Sequence, residues 1–454
     1  MYIFIYSKFI CIFSGIRDDN HLNPQQMWDR AYGCQFYRCL FSEKRFENLL
    51  RAMRFDVAAT RRHRLQYDRF AHIRVVWDII IANCRKNYNA GPVVTVDEQL
   101  IGFRGACIFR MFIKNKPAKY GLKAFMACDS DSNYCLNAIP YLGKGSMQVA
   151  HLEPKRLQGE YFTMSLLEDN LIAPGRVVCC DSWFTSIQLA RKLKTKRMHI
   201  VGTMQNKNYL PTHAIYDARL ELKENMAVYN HAHKVNVLFK RTKAKKHLAL
   251  MTSIHNRFTI VEHDKCEATM FYNASKGAVD TFDMMCAASS VSRKTLRWPM
   301  AIFYGLLNIV MNNSWIIYNS RHANRNTKRY DYTTDLAYHL ARPWAQIRHT
   351  TRGRYMTVPL RNELFSMFNL PGASAQPLMP EGGIVPQGRN HPQTGRRKLT
   401  KDDSRRRCTF CPNRGPGSTW SGKVFCCGHD CQNIPCDNHS VLLCMGCMRT
   451  LNIN

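Results

Sequence analysis

Four β-prone residues, Val93-Val94-Thr95-Val96, run straight into Asp97 and then into Glu98-Gln99-Leu100-Ile101-Gly102. This junction limits what the chain can become, because such a run is how a buried central strand delivers an acid to the mouth of a site, with a glycine-containing turn beyond it. Arg176 to Asp181 repeats the pattern: Val177-Val178-Cys179-Cys180 ends on Asp181, and the Ser186–Leu193 stretch that follows has helical periodicity. Asp181 is therefore predicted at a strand end or just past it. A third stretch, Lys276 to Cys286, spaces Asp280 and Asp283 at i and i+3, which puts both on one face of a helix.

Acids drawn from three segments repel one another if they converge. The usual remedy is a divalent cation, and hard oxygen donors select Mg²⁺ or Mn²⁺. Two such ions about 4 Å apart activate an attacking oxygen and stabilise a leaving oxygen in phosphoryl transfer. An Asp after a strand is also an ordinary helix cap or turn residue, so spacing by itself leaves both roles open.

The charge balance points to the substrate class. Lys and Arg total 65 against 33 Asp and Glu, a formal charge of +32, which favours nucleic acid over an acidic protein or a membrane. A chain of 454 residues that is 45% hydrophobic can bury more than one core, so two or three domains are expected. The apolar start, Met1 to Gly15, is interrupted by Lys8, lacks a basic leader and a cleavage site, and is too short to span a bilayer. It is predicted to be a helix of a folded domain.

Further along, Ser42 caps a helix to Met53. Arg61 to Tyr88 forms an amphipathic helix pair whose Arg61, Arg62, Arg64, Arg69 and Arg74 are either a solvated face or phosphate contacts. Phe109–Ile113 and Lys123–Asp129 are predicted as neighbouring strands, with Lys114, Lys116, Lys119 and Lys123 lining their connection. Arg191 to Met198 holds five basic residues in eight, more than a helix dipole asks for. His199–Met204 is a short strand. Ala227 to Ile254 alternates as a β-rich segment with a basic loop directed at DNA. Pro299 opens a buried helix, with Arg297 and Trp298 as DNA contacts or core. Thr351 to Arg407 turns to Pro, Gly and basic residues and is predicted to be a flexible linker, whose basic clusters suit a nuclear signal.

The words themselves go further. Asp97–Gly105, Arg110–Lys123, Cys180–Ser186, Tyr272–Met285 and Ser292–Met300, in that order, resemble the piggyBac transposase family. The resemblance runs from about Gly15 to Tyr318 and resumes in the Cys-rich tail. It implies an α/β fold: an RNase H-like catalytic domain with a β-rich insertion, a helical N-terminal DNA-binding and dimerisation part, and a C-terminal cross-braced zinc-binding Cys-rich domain. The implied bounds are 1–90 for the helical part, shortened at its start relative to the family, 91–205 and 266–350 for the catalytic domain, 206–265 for the insertion, 351–407 for the linker and 408–449 for the zinc finger. The family's three catalytic aspartates fall on Asp97, Asp181 and Asp280, which would hold Mg²⁺ or Mn²⁺, and a fourth metal-proximal acid falls on Asp283. The implied activity is cut-and-paste DNA transposition: metal-dependent strand cleavage at transposon ends, hairpin formation, and strand transfer at TTAA targets, by a nuclear homodimer acting on double-stranded DNA. The alternatives are a relic or domesticated copy that binds DNA without cutting it, and a scaffold that recruits a ubiquitin-conjugating enzyme.

The tail pairs Cys408 with Cys411, Cys427 with Cys431, Cys436 with His439, and Cys444 with Cys447, enough for two Zn²⁺. For the second pair Cys427 with Cys431 is the first choice, and Cys426 with His429 also has a workable spacing. Nuclear signals and the absence of a secretory peptide argue against disulfides. Cross-bracing, in which the second and fourth pairs share an ion, is what the resemblance implies. The cysteines scattered through the rest of the chain are expected to be small apolar fillers.

Overall fold

The computed structural model describes residues 2–144, 146, 158–168, 171–205, 225–231, 233–243, 246–255, 260–262, 265–322, 326–353 and 356–370, and three short strands nearer the C-terminus. Two compact units divide the chain, Met1–Gly372 and Ala373–Asn454.

The first unit is built on a mixed sheet. In chain order its strands are β1 (Val93–Gly102), β2 (Arg110–Phe112), β3 (Tyr120–Asp129), β4 (Cys135–Pro140), β5 (Val177–Cys180), β6 (His199–Thr203), β7 (Asn225–Asn230), β8 (Val235–Lys243) and β9 (Lys246–Thr252). Their spatial order is β2-β3-β1-β5-β6-β9-β8-β7, with β4 also paired to β3. The β1-β5 and β5-β6 pairs are parallel and the other pairs in the sheet antiparallel.

β5 shows why this sheet lies at the centre. All four of its residues are buried, and alternate ones face opposite sides: Val178 and Cys180 join the main core, Val177 and Cys179 a smaller cluster with Val201, Leu250 and Tyr272. A strand covered on both faces reads as a continuous apolar run, which is what Val-Val-Cys-Cys is. Strand β6 lies close beside its end. A Cβ at Gly202 would stand 2.2 Å from Thr185 Oγ1 and 2.7 Å from the Cys180 carbonyl oxygen, so only glycine lets the two strands meet there.

Helices cover the sheet. Tyr2–Ile16 opens the chain, and Ser42 caps Glu43–Ala52 by accepting from the Arg45 amide. Glu267–Ser275 packs over the smaller cluster, and Thr95 Oγ1 fastens it to β1 by donating to the Ser275 carbonyl at 2.6 Å. Trp298–Arg321, with Pro299 in its first turn, is apolar nearly all round and mostly buried. It is long and apolar enough to cross a membrane, but most of it lies inside the protein. Trp298 is half-buried and packs against the core, tilted to Phe70 and edge-on to Phe109, and the Arg297 guanidinium donates to the Leu50 and Met53 carbonyls.

Two expectations need correction. The helix Arg329–Arg352 runs past Thr351, and Val358–Phe368 forms another helix that buries Leu364 and Phe368, so a flexible linker does not begin at Thr351. Apolar side chains at helical spacing override the Pro and basic content there. The β-rich stretch is present as expected, as β7, β8 and β9, and it extends the central sheet: β9 pairs with β6, and β8 and β7 follow outward. On the helices Ala58–Arg64 and Arg74–Lys86, Arg61, Arg64 and Arg74, read as a solvated face or phosphate contacts, are held in ion pairs. Arg61 and Arg64 hold Asp56 at 2.7 and 2.9 Å, and Arg74 holds Asp68 at 2.8 Å. Among the described residues the scattered cysteines are free and mostly buried.

The second unit contains the strands Arg397–Lys398, Gly422–Cys426 and Ser440–Cys444 in one antiparallel sheet.

Candidate active site

Strand β1 does not end at Asp97 as the sequence suggests; it continues to Gly102, with Asp97 at its middle and opposite Met126 of β3. What ends there is its partner on the other side. The last β1-β5 register pair is Val96 with Cys180, so Asp97 and Asp181 are each the next residue along two parallel strands. Two carboxylates thereby emerge side by side at the carboxyl end of the parallel pair.

Glu98 joins them. One carboxylate oxygen from each of Asp97, Glu98 and Asp181 lies within 4.8 Å of the others, and all three residues are half-buried. Neighbouring strand residues normally face opposite sides. Past Val96, β1 has no further register partner in β5, and the Asp97 and Glu98 carboxylates come within 4.8 Å of each other all the same. Sequence analysis passed over Glu98; its position directly beside Asp97 was the only available signal.

The electrostatics follow from this crowding. Burial pushes the Asp97 carboxyl up to about 8, and the charges of Glu98 and Asp181 add to the rise against the Glu98 amide, which donates to Asp97 Oδ1 at 2.7 Å. Burial also raises Asp181, although the Trp183 amide donates to its Oδ1 at 2.8 Å. Lys123 stands over the Phe125 and Trp183 rings with its ammonium 3.8 Å from Glu98, and burial depresses its affinity for a proton. Three oxygen donors that repel one another without a cation fit a hard divalent ion.

Asp280 and Asp283 lie on the helix Ala278–Ala288, as their spacing predicted. Asp280 is not a member of the three-acid group. Its side chain is 66% exposed and its Oδ1 accepts from the Lys116 ammonium at 3.0 Å. Its charge still acts on Asp97. Asp283 accepts from Gln99 Nε2 at 3.0 Å, and burial raises its carboxyl. Both acids line a cleft of about 570 Å³ with Gln99, Lys116 and Asn308. Of the other lysines between β2 and β3, Lys116 also donates to the Glu98 carbonyl at 3.0 Å. Lys192, in the basic run after Asp181, pairs with buried Glu160.

Cys408, Cys411, Cys427, His429, Cys431, Cys436, His439 and Cys447 lie outside the described residues. Cys426 and Cys444 lie on two paired antiparallel strands, Cys426 opposite Ser440 and Cys444 opposite Gly422.

Comparison with known proteins agrees with this geometry. A family model described as Transposase IS4 matches residues 9–315, more than half of the chain. Among solved structures, the cryo-EM structure of a piggyBac transposase synaptic complex with hairpin DNA is similar at 30% sequence identity and a TM-score of 0.75. The match covers 98% of this chain and 88% of that one.

Proposed function

Since the chain belongs to the piggyBac transposase family, we propose that it is a cut-and-paste DNA transposase that cleaves DNA strands with a divalent cation at Asp97, Glu98 and Asp181. The observation that carries this is the emergence of Asp97 and Asp181 at adjacent strand ends with Glu98 between them. A pure DNA-binding protein has no use for three repelling, half-buried acids. A bound Mg²⁺ or Mn²⁺ would supply Lewis-acid activation of an attacking oxygen and charge stabilisation of a leaving one.

The chain's own residues have the remaining tasks. Asp97, Glu98 and Asp181 hold the ion, and the Trp183 amide and the ring-backed Lys123 orient Asp181 and Glu98. Asp280, the position of the family's third aspartate, and Asp283 line the neighbouring cleft with Gln99 and Lys116, and Asp280 is held there by Lys116 outside the three-acid group. Lysines between β2 and β3 receive the phosphodiester backbone. Products are nicked transposon ends, hairpin ends, and joints at TTAA, made by a homodimer on double-stranded DNA in the nucleus. The similar structure is a synaptic complex with hairpin DNA, which supports this sequence of events. The tail's thiolate and imidazole donors suit two Zn²⁺ in a module that binds transposon ends.

The test uses DNA carrying the terminal repeats that flank this gene, incubated with the full chain and Mg²⁺ and resolved on a denaturing gel. Nicks at the transposon ends followed by hairpin products support the reading. DNA that is bound and left uncut rejects it in favour of a non-cleaving DNA-binding protein.

A further inference from the structure

Lys116 occupies an unusual place for a lysine. It lies in the tight connection between β2 and β3, where the Lys119 amide donates to the Lys116 carbonyl at 3.0 Å, the Lys116 amide to the Ile113 carbonyl at 3.2 Å, and the Ile113 amide to the Lys119 carbonyl at 2.8 Å. From this held loop its ammonium reaches inward until its side chain is only 15% exposed. There it bridges two elements, donating to the Glu98 carbonyl on β1 and to Asp280 on the helix Ala278–Ala288, both at 3.0 Å.

The cost of sheltering this ammonium is outweighed by its hydrogen bond to Asp280 and by the charges of Asp280, Asp97 and Asp283, which raise its affinity for a proton, although the Asp280 carboxylate is itself two-thirds exposed. The consequence of the bridge is positional. Asp280 lies close enough for its charge to act on Asp97, yet its carboxylate is held by Lys116 and is missing from the group formed by Asp97, Glu98 and Asp181. A positive charge already stands between the acid cluster and the acid left outside it.

We propose that Lys116 is an internal counter-cation that holds Asp280 apart from the acid cluster in the metal-free protein, and that a divalent ion bound at Asp97 and Asp181 displaces the ammonium and releases Asp280. Lys116 is in these terms a positioning residue, acting on cation binding through Asp280. The inference rests on the cation-dependent function proposed above, and its test separates the two.

The full chain, without DNA, is titrated with Mn²⁺ and free ion is followed by electron paramagnetic resonance, for wild type, Lys116→Met and Lys116→Arg. Lys116→Met is expected to bind Mn²⁺ roughly tenfold more tightly or better, because Asp280 is then free to join the ion as a further oxygen ligand. Lys116→Arg, which keeps the charge, should bind as wild type does. In an Asp280→Asn background Lys116→Met should lose most of its effect. Near-ultraviolet circular dichroism verifies that each variant is folded, and Lys116→Gln, which also removes the charge, takes the place of Lys116→Met if that variant is not. Equal or weaker Mn²⁺ binding by folded Lys116→Met overturns the proposal while leaving cation binding intact. Absence of Mn²⁺ binding in every chain overturns the cation-dependent function itself, and the role of Lys116 with it.

Discussion

Asp97 and Asp181 are the first residues beyond Val96 and Cys180, the last register pair of two parallel strands, and this puts their carboxylates side by side. The site is thus a property of the sheet. Its two principal acids are placed by backbone register, and Glu98 comes with them because it adjoins Asp97 where β1 has no further register partner in β5.

That crowding makes stability depend on pH. Asp97 is raised from 3.8 to about 8 by burial and by Glu98 and Asp181. A carboxyl whose folded value is raised favours the folded state in its protonated form. Its contribution is fully present below the unfolded value and is lost progressively as pH climbs to about 8. In EDTA, the melting temperature of Asp97→Asn minus that of wild type should therefore grow from pH 5 to pH 9. Saturating Mg²⁺ should shrink the difference at pH 9, because the ion binds the charged form of wild type. A difference that stays flat with pH contradicts the assignment of the raised group to Asp97.

Gln99 gives a second handle. Its Nε2 is the donor that partly offsets the buried charge of Asp283, and Gln99 itself is 4% exposed. Gln99→Ala leaves that carboxylate without its donor and should destabilise the fold by about 1–3 kcal/mol, measured by urea denaturation. The double variant with Asp283→Ala should cost less than the two single losses added together. Strict additivity would show that the bond contributes nothing.

Close approach at the end of β5 predicts a steric result. Gly202→Ala places a methyl group against Thr185 Oγ1 and the Cys180 carbonyl oxygen, which precedes Asp181. Relief requires the strand ends to part, at a cost of about 1–3 kcal/mol. Mn²⁺ affinity should fall as well, since Asp181 moves with the strand. A variant as stable as wild type and with unchanged Mn²⁺ affinity would show that the strands have slack there.

Glu160 has its side chain only 6% exposed and is held by Lys192. Lys192→Met should destabilise by about 1–3 kcal/mol, less than for a wholly buried pair because Lys192 is itself well exposed. Adding Glu160→Gln should recover part of the loss. Thermal denaturation of the two variants against wild type decides this, and no recovery would mean that the stem of Lys192, rather than its charge, is what matters.

Much of this architecture was legible because it rests on local patterns. The unbroken apolar run of β5, the i and i+3 spacing of Asp280 and Asp283, and Ser42 before its helix each identify an element without reference to its neighbours. What was not legible depends on pairing. Nothing within β1 says that its parallel partner stops at Cys180 while β1 continues to Gly102, so the strand was expected to end at Asp97 and Glu98 was passed over. Arg61, Arg64 and Arg74 looked available to phosphate because Asp56 and Asp68 lie five to eight residues away, outside simple helical spacing. The helix Val358–Phe368 was hidden by the Pro-rich composition around it. Likewise the tie of Asp280 to Lys116 crosses 164 residues of sequence.

The measurement that bears most directly on the acid cluster is strand cleavage of transposon-end DNA by wild type, Asp97→Asn and Asp181→Asn over a range of Mg²⁺ concentrations. Wild type should nick only with the ion present. Each variant should lose at least about a hundredfold in rate, as expected when a group that holds a catalytic metal is removed, while still binding the DNA. Cleavage by Asp97→Asn at the wild-type rate, or cleavage by wild type in EDTA, would contradict a cation-dependent site at Asp97, Glu98 and Asp181.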